Sequence, residues 1–227
     1  MEAVGDEGSL DSRERSLRRV CDQASRCERC GLSETRTQVV FGSGRADAEV
    51  MFIGEAPGAD EDRLGTPFVG RSGRLLDGLL AEAGIEREEV FIANVLKCRP
   101  PENRDPRPVE IESCSVWLAK QMELVEPRLV CTLGNFATKL LRGDPTGITK
   151  VHGTPEIKTV AGRRVRLYPL FHPSAALRST TTLGLLRADL MRIPDLVGLP
   201  LPAPEAPIGG RSPGEVPGRQ LGLLDPE

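Results

Sequence analysis

The sequence predicts an α/β fold with a mostly parallel sheet covered on both faces by helices. Short, uninterrupted apolar runs of strand length recur at residues 49–53, 90–95 and 129–133. Runs of that kind, without alternation, read as strands buried on both faces. Between them lie stretches whose apolar residues follow helical spacing, and strand–helix alternation is the pattern of a parallel sheet.

Taken in order, residues 10–26 read as an amphipathic helix with Leu17 and Val20 on one side, followed by Cys27-Glu28-Arg29-Cys30. Glu49–Ile53 is the first strand, ending at Gly54 and leading into a Gly/Pro-rich loop. Leu75, Leu76, Leu79 and Leu80 place a helix over about Ser72–Ala83. Val90–Val95 is the second strand, and prolines at 100, 101, 106 and 108 mark a long loop after it. A helix over about Val109–Leu124 is closed by Pro127. Leu129–Leu133 is the third strand, and Asn135 is a suitable N-cap for a helix to about Leu141. Residues 156–160 and 164–168 flank Ala161-Gly162-Arg163 as a β-hairpin, Leu170-Phe171 leads into His172-Pro173-Ser174, and a last helix runs from about Thr182 to Arg192. In such sheets ligands bind at the carboxyl ends of the strands. The loops after Ile53, Val95 and Leu133, and the His172 loop, are therefore where chemistry is expected.

The chain divides into an acidic N-terminus (1–12), a domain (13–199) and a tail (200–227) in which 12 of 28 residues are Gly or Pro. The two ends are expected to be disordered. The formal charge is −3, but the N-terminal stretch carries −4 and the tail −2, which leaves +3 for the domain. A mildly basic domain can meet phosphates locally, though it does not require nucleic acid. No apolar run reaches the roughly eighteen residues of a membrane helix, and Met1–Ser12 lacks the basic-then-apolar order of a signal peptide. A soluble, cytoplasmic protein with no membrane partner is expected, as a monomer.

Six cysteines in an intracellular chain are not expected to form a disulfide framework. Cys27 and Cys30 have C-x-x-C spacing, and Cys98 and Cys114 follow; four thiolates can converge on zinc or on an iron–sulfur cluster, which spacing does not separate. Cys131, inside Leu-Val-Cys-Thr-Leu, reads as a buried core thiol, and Cys21 has no spaced partner. After the first strand, Gly54-Glu55-Ala56-Pro57-Gly58 is followed by Asp60, Glu61 and Asp62 and then by Phe68. Carboxylates beside an aromatic ring suit hydrolysis through a cationic sugar state, where one can orient water or steady positive charge. The same residues also fit a solvated acidic turn next to an ordinary core phenylalanine.

The segment G-E-A-P-G-A-D-E-D-R-L-G-T-P-F-V-G-R-S-G (54–73) resembles the first motif of the family 4 uracil-DNA glycosylases. N-V-L-K-C-R-P-P-E-N-R (94–104), H-P-S-A-A-L-R (172–178) and the four-cysteine pattern are similar to that family as well, over roughly residues 15–192. The resemblance implies a three-layer sandwich around a mostly parallel four-stranded sheet. It also implies a 4Fe–4S cluster on Cys27, Cys30, Cys98 and Cys114, and excision of uracil flipped out of DNA, with the protein cytoplasmic at the nucleoid.

Residue by residue, the resemblance makes Gly54, Glu55 and Ala56 pocket backbone and Phe68 the stacking aromatic. Asn94 reads uracil N3–H and O4, a pattern that cytosine inverts. His172 donates to uracil O2 as charge builds there. The best-known uracil glycosylases carry an Asp where this chain has Ala56. Glu61 is then the first candidate for orienting water and Glu55 the second, and Glu61 could instead wall off the thymine methyl. Arg99, Arg104, Arg107, Ser174 and Arg178 are candidates for DNA backbone contacts. Ala175, Ala176 and Leu177 could wedge into the base stack. The cluster is structural, since glycosidic hydrolysis moves no electrons.

A sister group traps uracil-DNA covalently through a histidine in an inserted loop; residues 99–113 contain none, which favours turnover. A non-catalytic uracil-DNA-binding module and a zinc-stabilised nucleotide hydrolase are the competing readings. The last residues, Gln220-Leu221-Gly222-Leu223-Leu224, resemble the short peptide by which bacterial repair proteins engage the sliding clamp. A mildly apolar chain end with no partner fits this stretch equally.

Overall fold

The computed structural model describes residues 7–201. Six strands form one mixed sheet: β1 (Ser43–Gly44), β2 (Val50–Gly54), β3 (Phe91–Asn94), β4 (Leu129–Leu133), β5 (Glu156–Val160) and β6 (Arg163–Leu170), in the order β1-β3-β2-β4-β6-β5. The central four, β3-β2-β4-β6, are parallel, as the sequence implies. An antiparallel strand at each edge raises the number to six. The two-residue β1 is too short to leave a pattern in the sequence. The β5–β6 turn places Ala161 (φ 50°) and Gly162 (φ 72°) in the left-handed region, the geometry that two-residue hairpin loops favour.

The predicted helices appear with shifted ends. They are α1 (Glu7–Ser25), α3 (Arg71–Glu82), α4 (Pro108–Val125), α5 (Asn135–Arg142) and α8 (Thr180–Leu190). The first turns of α1 come from the acidic stretch assigned to the N-terminal tail. Four short helices were not legible: α2 (Ala59–Leu64), α6 (Ile148–Val151), α7 (Pro173–Ala176) and α9 (Ile193–Gly198). Asn135 is the first residue of α5 rather than its cap. The cap position falls to Gly134, and Asn135 Oδ1 instead accepts from Ile148 N at 3.1 Å.

Alternate strand residues feed two cores. Met51, Ile53, Ala93, Val130 and Leu167 pack with α1, α4 and α5; Val50, Phe52, Ile92, Leu129 and Tyr168 pack with α3, α8 and α9. The result is the three-layer sandwich, and all five positions of both β2 and β4 are buried. Cys131 is fully buried in the second core, as a core thiol should be. Among the described residues no helix is long and apolar enough to cross a membrane.

The chain leaves the domain at the edge opposite the strand carboxyl ends. Arg166, which pairs with Leu129 at the start of β4, donates to the carbonyls of Leu196 (2.8 Å) and Pro200 (3.1 Å). Arg128 donates to Leu199 O at 3.3 Å. The clamp-like peptide Gln220–Leu224 lies outside the described residues.

Candidate active site

A cleft of about 1790 Å³ opens over the carboxyl ends of β2, β3, β4 and β6, lined among others by Glu55, Glu61, Phe68, Asn94, Gly134 and His172. Three side chains from three loops converge on its floor. Asn94, the last residue of β3, is 2 % exposed, and its side-chain amide has no hydrogen-bond partner among the described residues. Phe68 is buried and sits at φ 53°, strained for a non-glycine residue. Its ring centroid lies 5.7 Å from that of His172, tilted by 36°. Gly54 makes this convergence fit: a Cβ there would fall on Asn94 Oδ1 and 2.8 Å from Phe68 Cζ. Gly134 does the same for the histidine, since its Cβ would lie 3.0 Å from His172 Cβ.

The protonation of His172 follows from its hydrogen bonds. It caps α7, and its Nδ1 accepts from the backbone N–H of Ser174 at 3.1 Å and lies 2.8 Å from Ser174 Oγ. A nitrogen that accepts from a backbone N–H carries no proton, so the ring proton is on Nε2. Burial, the dominant influence, pushes the imidazole down to about 4 against an opposing pull from Glu61. The ring is therefore a neutral donor at physiological pH.

The acidic run after β2 forms α2 rather than a loop, and its carboxylates have separate partners. Glu61 Oε1 accepts from the backbone N–H of Val69 (3.0 Å) and Gly70 (2.9 Å), closing the loop that carries Phe68. Asp62 is buried, and both its oxygens accept from Thr37 N at 3.0 and 3.1 Å. Asp60 lies 3.6 Å from Arg63. Glu55 lines the cleft with no hydrogen bond or ion pair for its carboxylate among the described residues. Burial, aided by the charge of Asp105, raises its pKa.

The basic residues fall into two groups. Arg104 and Arg178 line the cleft, as does the hydroxyl of Ser174. Arg104 is held against Glu110 by two bonds, of 2.9 and 2.5 Å, and Arg178 Nε donates to Ser174 O at 3.2 Å. Arg99 donates to Asn103 Oδ1 at 2.8 Å, and exposed Arg107 caps α4. On the His172 loop the wedge narrows. Ala176 is buried in the core and cannot enter a base stack, whereas Leu177 is 41 % exposed.

Cys27, Cys30, Cys98 and Cys114 line a second, small cavity together with Arg36, Lys97 and Trp117. Three of the sulfurs accept from nitrogen donors: Cys27 from Trp117 Nε1 (3.4 Å), Cys98 from Arg36 Nη1 (3.5 Å) and Cys114 from Lys97 N (3.2 Å). Among the described residues no three His, Cys, Asp or Glu side chains are grouped to hold a single ion. A zinc ion needs all its sulfurs about 2.3 Å from one point. Four thiols around one cavity, three of them accepting from N–H groups, are the soft donor set that an iron–sulfur cluster takes.

Residues 41–191 match the model of the uracil DNA glycosylase superfamily. The chain is 40 % identical over 190 residues to a type-4 uracil-DNA glycosylase of Sulfurisphaera tokodaii, covering 82 % of this chain and 86 % of that protein. It is 44 % identical over 169 residues to one of Thermotoga maritima, covering 74 % and 86 %. The chain belongs to the type-4 uracil-DNA glycosylases. A type-5 uracil-DNA glycosylase of Pyrobaculum aerophilum is more distant, 35 % identical over 149 residues and covering 58 % and 63 %.

In this type-4 family member the cleft brings together Glu55, Ala56, Glu61, Phe68, Asn94 and His172, with Gly54 directly beneath Asn94 and Phe68, and the four cysteines line a separate small cavity. Lys97, Trp117 and Gln121 were not singled out from the sequence, and Asp62 was read only as part of the acidic run. The available signal for Lys97 was a lysine placed between Asn94 and Cys98 in an otherwise apolar run.

Proposed function

We propose that the protein flips uracil from single- or double-stranded DNA and hydrolyses its N-glycosidic bond, leaving an abasic site for base excision repair. One observation carries this most directly: the amide of Asn94, with no partner among the described residues, faces the cleft floor beside the aromatic wall of Phe68 and the neutral imidazole donor of His172. Once a base covers the cleft floor, that amide is costly to leave unpaired. Uracil N3–H and O4 satisfy its oxygen and nitrogen, while cytosine leaves both unpaired.

Phe68 stacks on the ring. The C1′–N1 bond breaks with its electron pair passing to uracil, and His172 Nε2–H donates to O2 as charge builds there. Water bonds to C1′ and its proton passes through solvent to the departing uracil anion, so that the net products are the abasic sugar and neutral uracil. Glu55, whose carboxylate faces the cleft without a partner, orients that water and steadies the cationic sugar. Glu61 shapes the pocket wall through its hold on the Phe68 loop. Cys27, Cys30, Cys98 and Cys114 would hold a 4Fe–4S cluster, whose contribution would be structural: it would tie the end of α1 to α4 and the loop before it, beside the DNA.

Arg99, Arg104, Arg107, Ser174 and Arg178 meet DNA phosphates, and Leu177 enters the gap left by the flipped base. The protein works in the cytoplasm at the nucleoid, as a monomer. Residues 13–199 are the catalytic domain, and the tail carries Gln220–Leu224 to the sliding clamp. Departure of the chain from the edge opposite the cleft supports clamp and DNA engagement at once.

The test is incubation with a labelled single-stranded oligonucleotide holding one uracil, followed by alkaline cleavage of abasic sites. A break that requires the alkali and is absent with Asn94→Ala establishes monofunctional excision. Binding without a break would replace this reading with the binding-module one.

A further inference from the structure

Lys97 is among the largest fully buried side chains, 1 % exposed, and no carboxylate pairs with it among the described residues. Its Nζ donates to the backbone carbonyl of Asn94 at 2.7 Å and to Gln121 Oε1 at 2.6 Å. Gln121 is anchored in turn, its Nε2 donating to Phe41 O at 2.7 Å. The backbone N–H of the same lysine donates to Cys114 Sγ. Cys114, Trp117 and Gln121 are buried along one side of α4, at the i, i+3, i+7 spacing of a single helix face. One residue thus touches the main chain of the base-reading position, the helix behind it and a sulfur of the cysteine centre. A methionine would fill the volume without burying a cation, and exchanging buried charge for apolar packing is often neutral or stabilising. What only the ammonium supplies is the link between Asn94 and Gln121.

We propose that Lys97 is a positioning residue for base recognition: its buried ammonium, braced by Gln121, holds the main chain behind Asn94 and ties the uracil-reading amide to the cysteine-bearing helix. This rests on the uracil-reading role proposed for Asn94. It extends that role by naming what keeps the amide in place, since small misplacements at a reacting site cost about 100-fold in rate.

The test uses the full-length, cluster-loaded protein with Lys97→Met. Single-turnover excision is measured, together with affinity for an oligonucleotide holding 2′-fluoro-2′-deoxyuridine, which resists cleavage, and for one holding an abasic analogue. Iron content and melting temperature are recorded on the same samples. The expected result is excision slowed about 10- to 100-fold, with uracil-analogue affinity lost relative to abasic affinity and iron content unchanged. In an Asn94→Ala background Lys97→Met should add nothing, because the lysine acts through Asn94.

Wild-type excision by Lys97→Met, an equal further loss in the Asn94→Ala background, or iron loss in step with activity would overturn the proposal. Should Lys97→Met fail to fold, Gln121→Met removes the brace while keeping the cation and is held to the same criteria. If the unaltered chain prefers the uracil analogue but excises nothing, the catalytic reading falls and the affinity ratio still decides the role of Lys97. No preference for the analogue sinks both.

Discussion

Glu61 Oε1 lies 2.9 Å from the backbone nitrogen of Gly70, and this bond, with its twin to Val69, closes the loop that holds Phe68 against the cleft. An oxygen that accepts two backbone N–H groups is fixed in place by the loop it closes. The local conformation needs that hold, because Phe68 occupies the left-handed region without being glycine.

This relationship separates two roles for Glu61. If it positions the loop, Glu61→Gln keeps an oxygen acceptor and should slow excision by about 10-fold or less, whereas Glu61→Ala releases Phe68 and should cost about 100-fold. If it activates water, both variants should fail alike, since neither has a carboxylate. Single-turnover rates of the two variants decide the matter.

A stability profile tests the neutral state of His172. Its folded pKa, about 4, lies below the ordinary value of 6.5. The unfolded chain therefore takes up a proton first as pH falls. The stabilising contribution is complete above about 6.5 and is lost as pH drops from there toward 4, to at most about 3 kcal/mol. Urea unfolding midpoints of the unaltered protein and His172→Gln should converge across that window. The excision rate should show no inflection near 6.5, and an acid limb centred there would mean that the imidazole is charged.

Gly54 supplies a steric prediction. Because its Cβ would meet Asn94 Oδ1 and the Phe68 ring, Gly54→Ala should push the reader and the stacking wall apart and lower excision by about 100-fold. Both neighbours are buried, so overpacking should also cost about 1–3 kcal/mol. An alanine variant with wild-type rate would show that the floor of the cleft can adjust.

The buried strands were legible because an uninterrupted apolar run such as Val50–Ile53 has few other uses, and the pairing of Gly54 with Asn94 follows once both runs are parallel. The role of the acidic run was not legible. Asp60, Glu61 and Asp62 are consecutive, so a short helix sends them to three destinations: solvent, the Phe68 loop and Thr37. Composition reports that carboxylates are present but not which N–H groups they meet. Lys97 was hidden for a similar reason. A lysine is expected at the surface, and its partners at Asn94 and Gln121 emerge only when the chain folds back and α4 packs beneath it.

The cysteine centre yields the last prediction. Four thiols around one cavity, in a member of the type-4 family, call for about four iron atoms per chain, and for a brown protein rather than a colourless zinc one. Cys114→Ser should abolish the iron absorbance, because Cys114 is buried at the cavity and supplies one of the four thiols that line it. Cys131→Ala, in the opposite core, should leave it intact. Losing the cluster removes the tie between α1 and α4. If that costs about 3 kcal/mol, the melting temperature should fall by roughly 6–12 °C. Iron analysis and thermal melts of the two variants check this directly. Zinc in the unaltered protein, or iron retained by Cys114→Ser, would show that the thiols hold something other than a four-cysteine cluster.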